Sequence, residues 1–420
     1  MRLNEEEKAM LAGEHGEPRR WALQHQLQVA SFFDAEDFVP VGQAHIMADT
    51  ESLGESGVEF LESLARHPAD QRRVRVPTTT DPRGVDFRRY KDIGQKQWMA
   101  DLEARAIVAF EALGILMTNT CINYQTIMPP VLGEHMAYGD TGVVIYSNSV
   151  LGARTNFEGG PSALAAALTG RTPRYGFHLD RNRRGTHRFV VEFQPQDLVE
   201  WGALGGLIGR KAGSYWSVPV IEGITSVPGS DALKHFGAAM ASYGSIGMFH
   251  MIGVTPEAPD AKAPWDGAAP EPEIIGRQEL ERFCSEYAAY GEKVDVVVFS
   301  APQLSLVEMQ ALADLLDGRK VHPETTLLAV TSPEVKSASD RMGLTARIES
   351  SGALVLSGVC FYQSYAREMA EVNGWRRLLT NSAKLVNIIS GYGYVPALAS
   401  MDACGESAIA GHIVGERRAG

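Results

Sequence analysis

Residues 294–360 read VDVVVFSAPQLSLVEMQALADLLDGRKVHPETTLLAVTSPEVKSASDRMGLTARIESSGALVLSGVC. Within them, VDVVVFS (294–300), TLLAVT (326–331) and ALVLSGVC (353–360) are short β-branched and apolar runs of the kind buried strands need. Between them, SLVEMQALADLL (305–316) and PEVKSASDRMG (333–343) carry helical spacing with a serine or proline at the start. Strand, helix, strand, helix, strand is the rhythm of a parallel sheet, so the fold class is α/β. Cys360 ends the third run, and Cys121 likewise ends the apolar run ALGILMTNTC. Ligands of open α/β sheets gather beyond the carboxyl ends of the strands, which makes both cysteines candidates for a site.

Outward from this segment, one compositional break stands out: VTPEAPDAKAPWDGAAPEPE, rich in Pro, Ala and acids, reads as a linker or surface excursion. It divides the 420 residues into a mixed α/β part over 1–255, the excursion over 256–273, and an α/β part over 274–420 that carries Cys360 and Cys404. At the amino end, Asn4 with Glu7 three residues on predicts a capped helix, followed by a second over Glu17 to Phe33. The net charge of -12 and the lack of a basic stripe interleaved with aromatics disfavour nucleic acid as a partner. Three consecutive glutamates near the start do not suit a secretory signal, and the least polar stretch, 237–254, contains His250, Tyr243 and two serines and falls short of a membrane span. A cytoplasmic protein without a membrane partner is expected. Four cysteines at 121, 284, 360 and 404 do not form a secreted disulfide framework, but thiols distant in sequence can converge on a metal.

Cys284, inside the helical run QELERFCSEYAAYG, is read as core, whereas Cys404 precedes small residues that could open a helix. The stretch from Tyr146 to Pro173 is the densest polar and glycine cluster. There Gly159, Gly160 and Pro161 lead a helical run and could present free N–H groups to an anion, while Arg154 could grip a carboxylate with its fork. In RLLTNSAKLV, Asn381, Ser382 and Lys384 stand where a helix begins, and a lysine there can bind an anionic substrate. Ser147 and Ser149 have strand-end spacing in GVVIYSNS but no recognisable His–Asp partners, and His45, His135, His178 and His250 are read as satisfied structural groups. No strand is followed by a full dinucleotide or P-loop glycine motif.

Ordered blocks along the chain then supply a resemblance. LNEEEKAMLAGEHGE, VPVGQAHI, VPTTTDPRGVDF, TNTCINY, PPVLGEH, NSVLGARTNFEGGPSALAAALTGRTPRYGFHLDRNR, FHMIGVTPEAP, TNSAK and the Cys404 region together resemble the aconitase X family. The resemblance implies an aconitase-like multi-domain catalytic body built from parallel-sheet βαβ units and lacking the swivel domain, which a small separate subunit would supply together with a catalytic serine. It implies an iron-sulfur cluster of unspecified nuclearity on Cys121, Cys360 and Cys404, catalytic roles for Asp140 and Lys384, and substrate contacts from Asp49, Asp81, Thr141, Ser149, Arg154 and Ser382. The activity implied is removal of water from a small β-hydroxy acid: cis-3-hydroxy-L-proline, giving Δ1-pyrroline-2-carboxylate, or alternatively mevalonate 5-phosphate. Several positions depart from the family pattern. Ala301-Pro302-Gln303 stands where archaeal members usually show a cysteine before a Pro-His pair, Asp140-Thr141 replaces a Glu-Ser pair, Phe157 replaces an arginine, and Ile122-Asn123 replaces a Thr-Pro. These departures motivate a competing expectation, a metal-free paralogue without catalysis.

Overall fold

The computed structural model describes residues 1–415, and its core is organised around three all-parallel sheets. The first has the order β3-β2-β4, from β2 (Gln43–Ile46), β3 (Thr78–Thr80) and β4 (Met136–Tyr138); β1 (Phe38–Pro40) pairs with β5 (Arg171–Pro173) in a separate antiparallel ribbon. The second has the order β8-β7-β6-β9, from β6 (His187–Val191), β7 (Pro219–Glu222), β8 (His250–Met251) and β9 (Glu273–Ile275). The third, β12-β11-β10-β13-β14, contains β10 (Val296–Leu304), β11 (Thr326–Thr331), β12 (Leu354–Ser357), β13 (Arg377–Thr380) and β14 (Val395–Leu398). Its three first strands are those read from 294–360, and β10, buried along its whole length, is its centre.

All three of these sheets reverse their winding, and the reversals of the third and the first concern the site. In the third sheet the chain moves from β10 outward through β11 to β12 and then returns to the other side of β10 with β13; in the first, β3 and β4 flank β2 on opposite sides. Such reversals leave a crevice at the carboxyl ends of the central strands, because consecutive connections leave in opposite directions. The two crevices face each other: Arg83, just after β3, forms a parallel bridge with Val359, just after β12. The second sheet is tied to the third through the helices Leu198–Ala212 and Ser230–Gly244. Their backbones approach so closely that a Cβ at Gly205 would meet the Phe236 carbonyl oxygen at 2.1 Å, which explains the glycine-rich face of WGALGGLIGR.

Local readings fared unevenly. Asn4 and Glu7 form the expected capping box ahead of Glu5–Ala12, and the second helix runs over Glu17–Phe32. GVVIYSNS is not strand-like; it lies in the helix Thr141–Ser149, capped by Asp140 and buried on nearly every side, so its apolar run carried no periodicity to distinguish the two. The Pro/Ala-rich stretch runs between β8 and β9 of one sheet, and the chain returns after it to pair β9 with β6. Among the described residues no helix is long and apolar enough to cross a membrane.

Candidate active site

The site grows from the ends of the strands. After β2 the chain enters Asp49, which caps the helix Thr50–Ala65 by accepting the Ser52 N–H at 2.7 Å. After β3 comes Asp81, after β4 comes Asp140, and the segment leading to Cys121 runs beside β3 through a Thr79–Leu116 bridge and a Thr120 N–H bond to the Thr80 carbonyl. From the third sheet come Ser300 to Gln303 after the straight part of β10, Cys360 after β12, and Ser382 and Lys384 after β13. All of these residues are buried.

Side chains join the two sets. Lys384 Nζ lies 3.5 Å from Asp140 Oδ1 and donates to Thr141 Oγ1 at 3.1 Å. Burial pulls the Lys384 ammonium down, but the negative charges of Asp140 and its neighbours outweigh this and hold it above the ordinary lysine value. Gln363 Nε2 donates to Asp49 Oδ2 at 3.3 Å and to Asp81 Oδ2 at 3.4 Å, reaching from the third sheet to the first. Asp81 is fully buried, and burial, with the charge of Asp140 adding to it, raises its carboxyl well above the usual range. Its neighbour His45, with Nε2 at 3.4 Å from Asp81 Oδ1 and Nδ1 at 2.7 Å from Thr79 Oγ1, is lowered to about 4 by burial. Burial thus favours the neutral form of both groups, and His45 carries no charge at neutral pH.

Cys121 and Cys360 converge. Burial is the main cause that raises the Cys121 thiol, the Cys360 sulfur is the next, and burial pushes Cys360 up to about 12. The Gln303 backbone N–H donates to Cys121 Sγ at 3.5 Å, and Ser300 Oγ lies 3.9 Å from Cys360 Sγ. Cys404 departs from the expected ligand set: it lies in the helix Met401–Ala410 with its thiol directed to the Ala399 carbonyl at 3.4 Å, inside the main apolar core. Among the described residues no group of three or more His, Cys, Asp or Glu is arranged to hold a metal. The donor set thus fits a group attached through two thiols, and not one attached through three.

Three other expected contacts are placed elsewhere. The Arg154 guanidinium pairs with Asp180 and donates to the His178 carbonyl at 3.2 Å, so its fork is already engaged. Ser149 Oγ accepts the Phe249 N–H at 2.9 Å, a structural bond between two buried segments. The helix after Gly159 follows Glu158, a buried carboxylate, and does not present an anion cradle. Ser382 caps the helix Ala383–Ile389 and also donates to the Ala301 carbonyl, which positions Lys384 two residues on, in the helix's first turn. Sequence reasoning missed His45 as part of the site, as well as Gln303, Gln363 and Ser300. The block VPVGQAHI could have pointed to His45, since it ends three residues before Asp49 and close to the strand end.

Comparisons with known proteins agree with this architecture. Residues 1–181, 185–285 and 294–410 match the aconitase X first, second and third domains, respectively. The phosphomevalonate dehydratase large subunit of Methanothermobacter thermautotrophicus is 35% identical over 402 residues, covering 96% of this chain and 95% of that protein. Cis-3-hydroxy-L-proline dehydratase of Pseudomonas aeruginosa is 34% identical over 98% of this chain and 70% of its own length. The crystal structure of Thermococcus kodakaraensis aconitase X in its holo-form superposes with a TM-score of 0.86 at 28% identity, covering 97% of this chain and all of that one. The chain belongs to the aconitase X family, and the similar members just named as enzymes are dehydratases, that is, hydro-lyases.

Proposed function

We propose that the chain is the large subunit of a dehydratase acting on a small β-hydroxy acid with a cationic nitrogen, best matched by cis-3-hydroxy-L-proline and yielding Δ1-pyrroline-2-carboxylate. The observation that carries the substrate class is how few cations the pocket offers. Asp49, Asp81 and Asp140 surround the site, with Lys384 as the cation that reaches Asp140 and both thiols, and Arg154 committed to Asp180. A phosphate dianion, which calls for several cations or bidentate forks, is not matched by this set, whereas a secondary ammonium beside carboxyl and hydroxyl acceptors is.

In this reading Lys384 holds the substrate carboxylate and Thr141 steadies the ammonium. Asp140 takes the proton from the carbon next to that carboxylate, and Asp81, whose acid form burial favours, delivers a proton to the departing hydroxyl, so that one water leaves and a carbon–carbon double bond forms; the resulting enamine then moves a proton from nitrogen to carbon to give the Δ1 imine. His45 and Gln363 keep Asp81 oriented. Cys121 and Cys360 are the residues that would hold an iron-sulfur group; when bound, such a group supplies Lewis acidity at the leaving hydroxyl. A small swivel-domain subunit is the proposed partner, supported by the naming of several relatives as large subunits.

A second reading, mevalonate 5-phosphate as substrate, is favoured by the near-complete overlap with the phosphomevalonate dehydratase large subunit of Methanothermobacter thermautotrophicus. The test is to purify the chain anaerobically with its small subunit and follow loss of each substrate. Turnover of hydroxyproline alone supports the first reading, turnover of phosphomevalonate alone replaces it with the second, and turnover of neither with no bound iron points to the non-catalytic paralogue.

A further inference from the structure

We propose that Gln303 is a positioning residue that sets the spacing of Cys121 and Cys360. The inference rests on reading those two cysteines as the thiols of the site. Along β10, pairing with β11 is regular to Phe299–Ala329 and resumes only at Leu304–Thr331, so Ser300 to Gln303 bulge out of the ladder at the carboxyl end of the central strand. Ala301 in this bulge has a left-handed φ of 56°.

The bulge turns the Gln303 side chain into a junction of three loops, where it is fully buried. Its Oε1 accepts the Cys121 N–H at 3.2 Å. Its Nε2 donates to the carbonyls of Val359 at 3.0 Å, Asn119 at 3.2 Å and Thr331 at 3.3 Å. One amide therefore ties the backbone at Cys121 to the backbone one residue before Cys360, while its own backbone N–H reaches the Cys121 sulfur. The residue is held from behind as well. Its carbonyl accepts from Lys234 Nζ at 3.1 Å, and that buried ammonium pairs with Glu308 and with Asp231 at 3.1 Å. Glu308 in turn lies 2.8 Å from His235 Nε2.

The chemistry demands an amide at this position. A carboxylate of the same shape keeps the acceptor for Cys121 N–H but has no N–H to offer three carbonyl oxygens, which it would repel. The thiol spacing would then be set by the loops alone, and two sulfurs bind a soft ion well only when held at chelating distance.

The experiment uses the full chain, iron-free and reduced, titrated with cadmium and followed by thiolate-to-cadmium charge-transfer absorption. Gln303→Glu and the isosteric Gln303→Met are compared with Thr331→Val, which removes a 2.6 Å bond to the Leu304 carbonyl in the same bulge without touching the thiols. The expected result is cadmium affinity at least tenfold weaker in both Gln303 variants, with Thr331→Val lowering the melting temperature but binding as the native chain does. Should Gln303→Glu not fold, Gln303→Met gives the same reading. Native affinity in a folded Gln303 variant overturns the proposal, as does equal weakening in Thr331→Val. A native chain whose band survives Cys360→Ser overturns the convergence of the thiols and the proposal with it. Absence of dehydratase activity with this cadmium pattern intact overturns only the function proposed above.

Discussion

The first and third sheets meet at one crevice and contribute different chemistry to it. From the first come Asp49, Asp81, Asp140 and the thiol of Cys121; from the third come the thiol of Cys360, the ammonium of Lys384 and the amides of Gln303 and Gln363. Hard anionic groups lie on one side, and cation and neutral donors on the other. An isolated carboxylate or ammonium out of water is costly, and Lys384 and Asp140 compensate each other across the seam. The same contacts that stabilise the association of the two sheets therefore build the site.

The largest break in this pairing is removal of a thiol. Cys360→Ala is expected to lose bound iron and acid-labile sulfide and to lower turnover at least a hundredfold, as measured after anaerobic copurification with the small subunit. Next comes the ion pair across the seam. Lys384→Met leaves Asp140 buried without its 3.5 Å partner, at a cost of about 3–5 kcal/mol in urea unfolding, with turnover reduced at least a hundredfold. An unchanged unfolding midpoint would show that Asp140 does not depend on Lys384.

A pH experiment separates the first side from the second. Burial is the main cause that raises Glu103, which accepts from Thr50 Oγ1 at 2.6 Å, to about 7. Its folded value lies above its unfolded one, so the folded chain binds the extra proton and stability falls as pH rises from about 4.5 towards 7. Glu51, which accepts the Tyr365 N–H, is also raised to about 7 by burial and adds to the same slope. Glu103→Gln is expected to flatten this part of the stability profile by up to about 3 kcal/mol, read from urea midpoints across the window. Gln363→Leu, which removes the bridge to Asp49 and Asp81, is expected to cost about 1–3 kcal/mol and to reduce kcat about tenfold.

The smallest expected effect sharpens the comparison from outside. Arg154→Ala breaks a partly exposed pair with Asp180, so stability should change by less than about 1 kcal/mol and turnover of hydroxyproline should stay within twofold. A large loss of phosphomevalonate turnover in the same variant would return Arg154 to the substrate and favour the second reading.

Much of the first-order design was legible. Three strands of the third sheet followed from apolar runs of strand length separated by capped helical segments; Cys360 was legible because it ends such a run, and Ser382 and Lys384 because they stand where a helix begins. Other parts were not. Gln303 bonds to residues 28 to 184 positions away, and Gln363 to carboxylates 282 and 314 positions away, so no local pattern distinguishes either from a surface glutamine. Nor does local sequence show that the Arg154 fork is engaged, because its partner Asp180 lies on a separate turn that the fold brings back.

By itself, the sequence determined the alternation of strands and helices, the placing of Cys360 at a strand end and of Lys384 at a helix start, and the family resemblance, because these depend on periodicity, caps and ordered motifs along the chain. Only the tertiary structure decided that Cys404 turns away into the core, that Arg154 is spent on Asp180, and that Asp81, its carboxyl raised by burial, faces a neutral His45. Those outcomes depend on which distant groups share a buried, weakly screened space, and burial is a property of the folded arrangement.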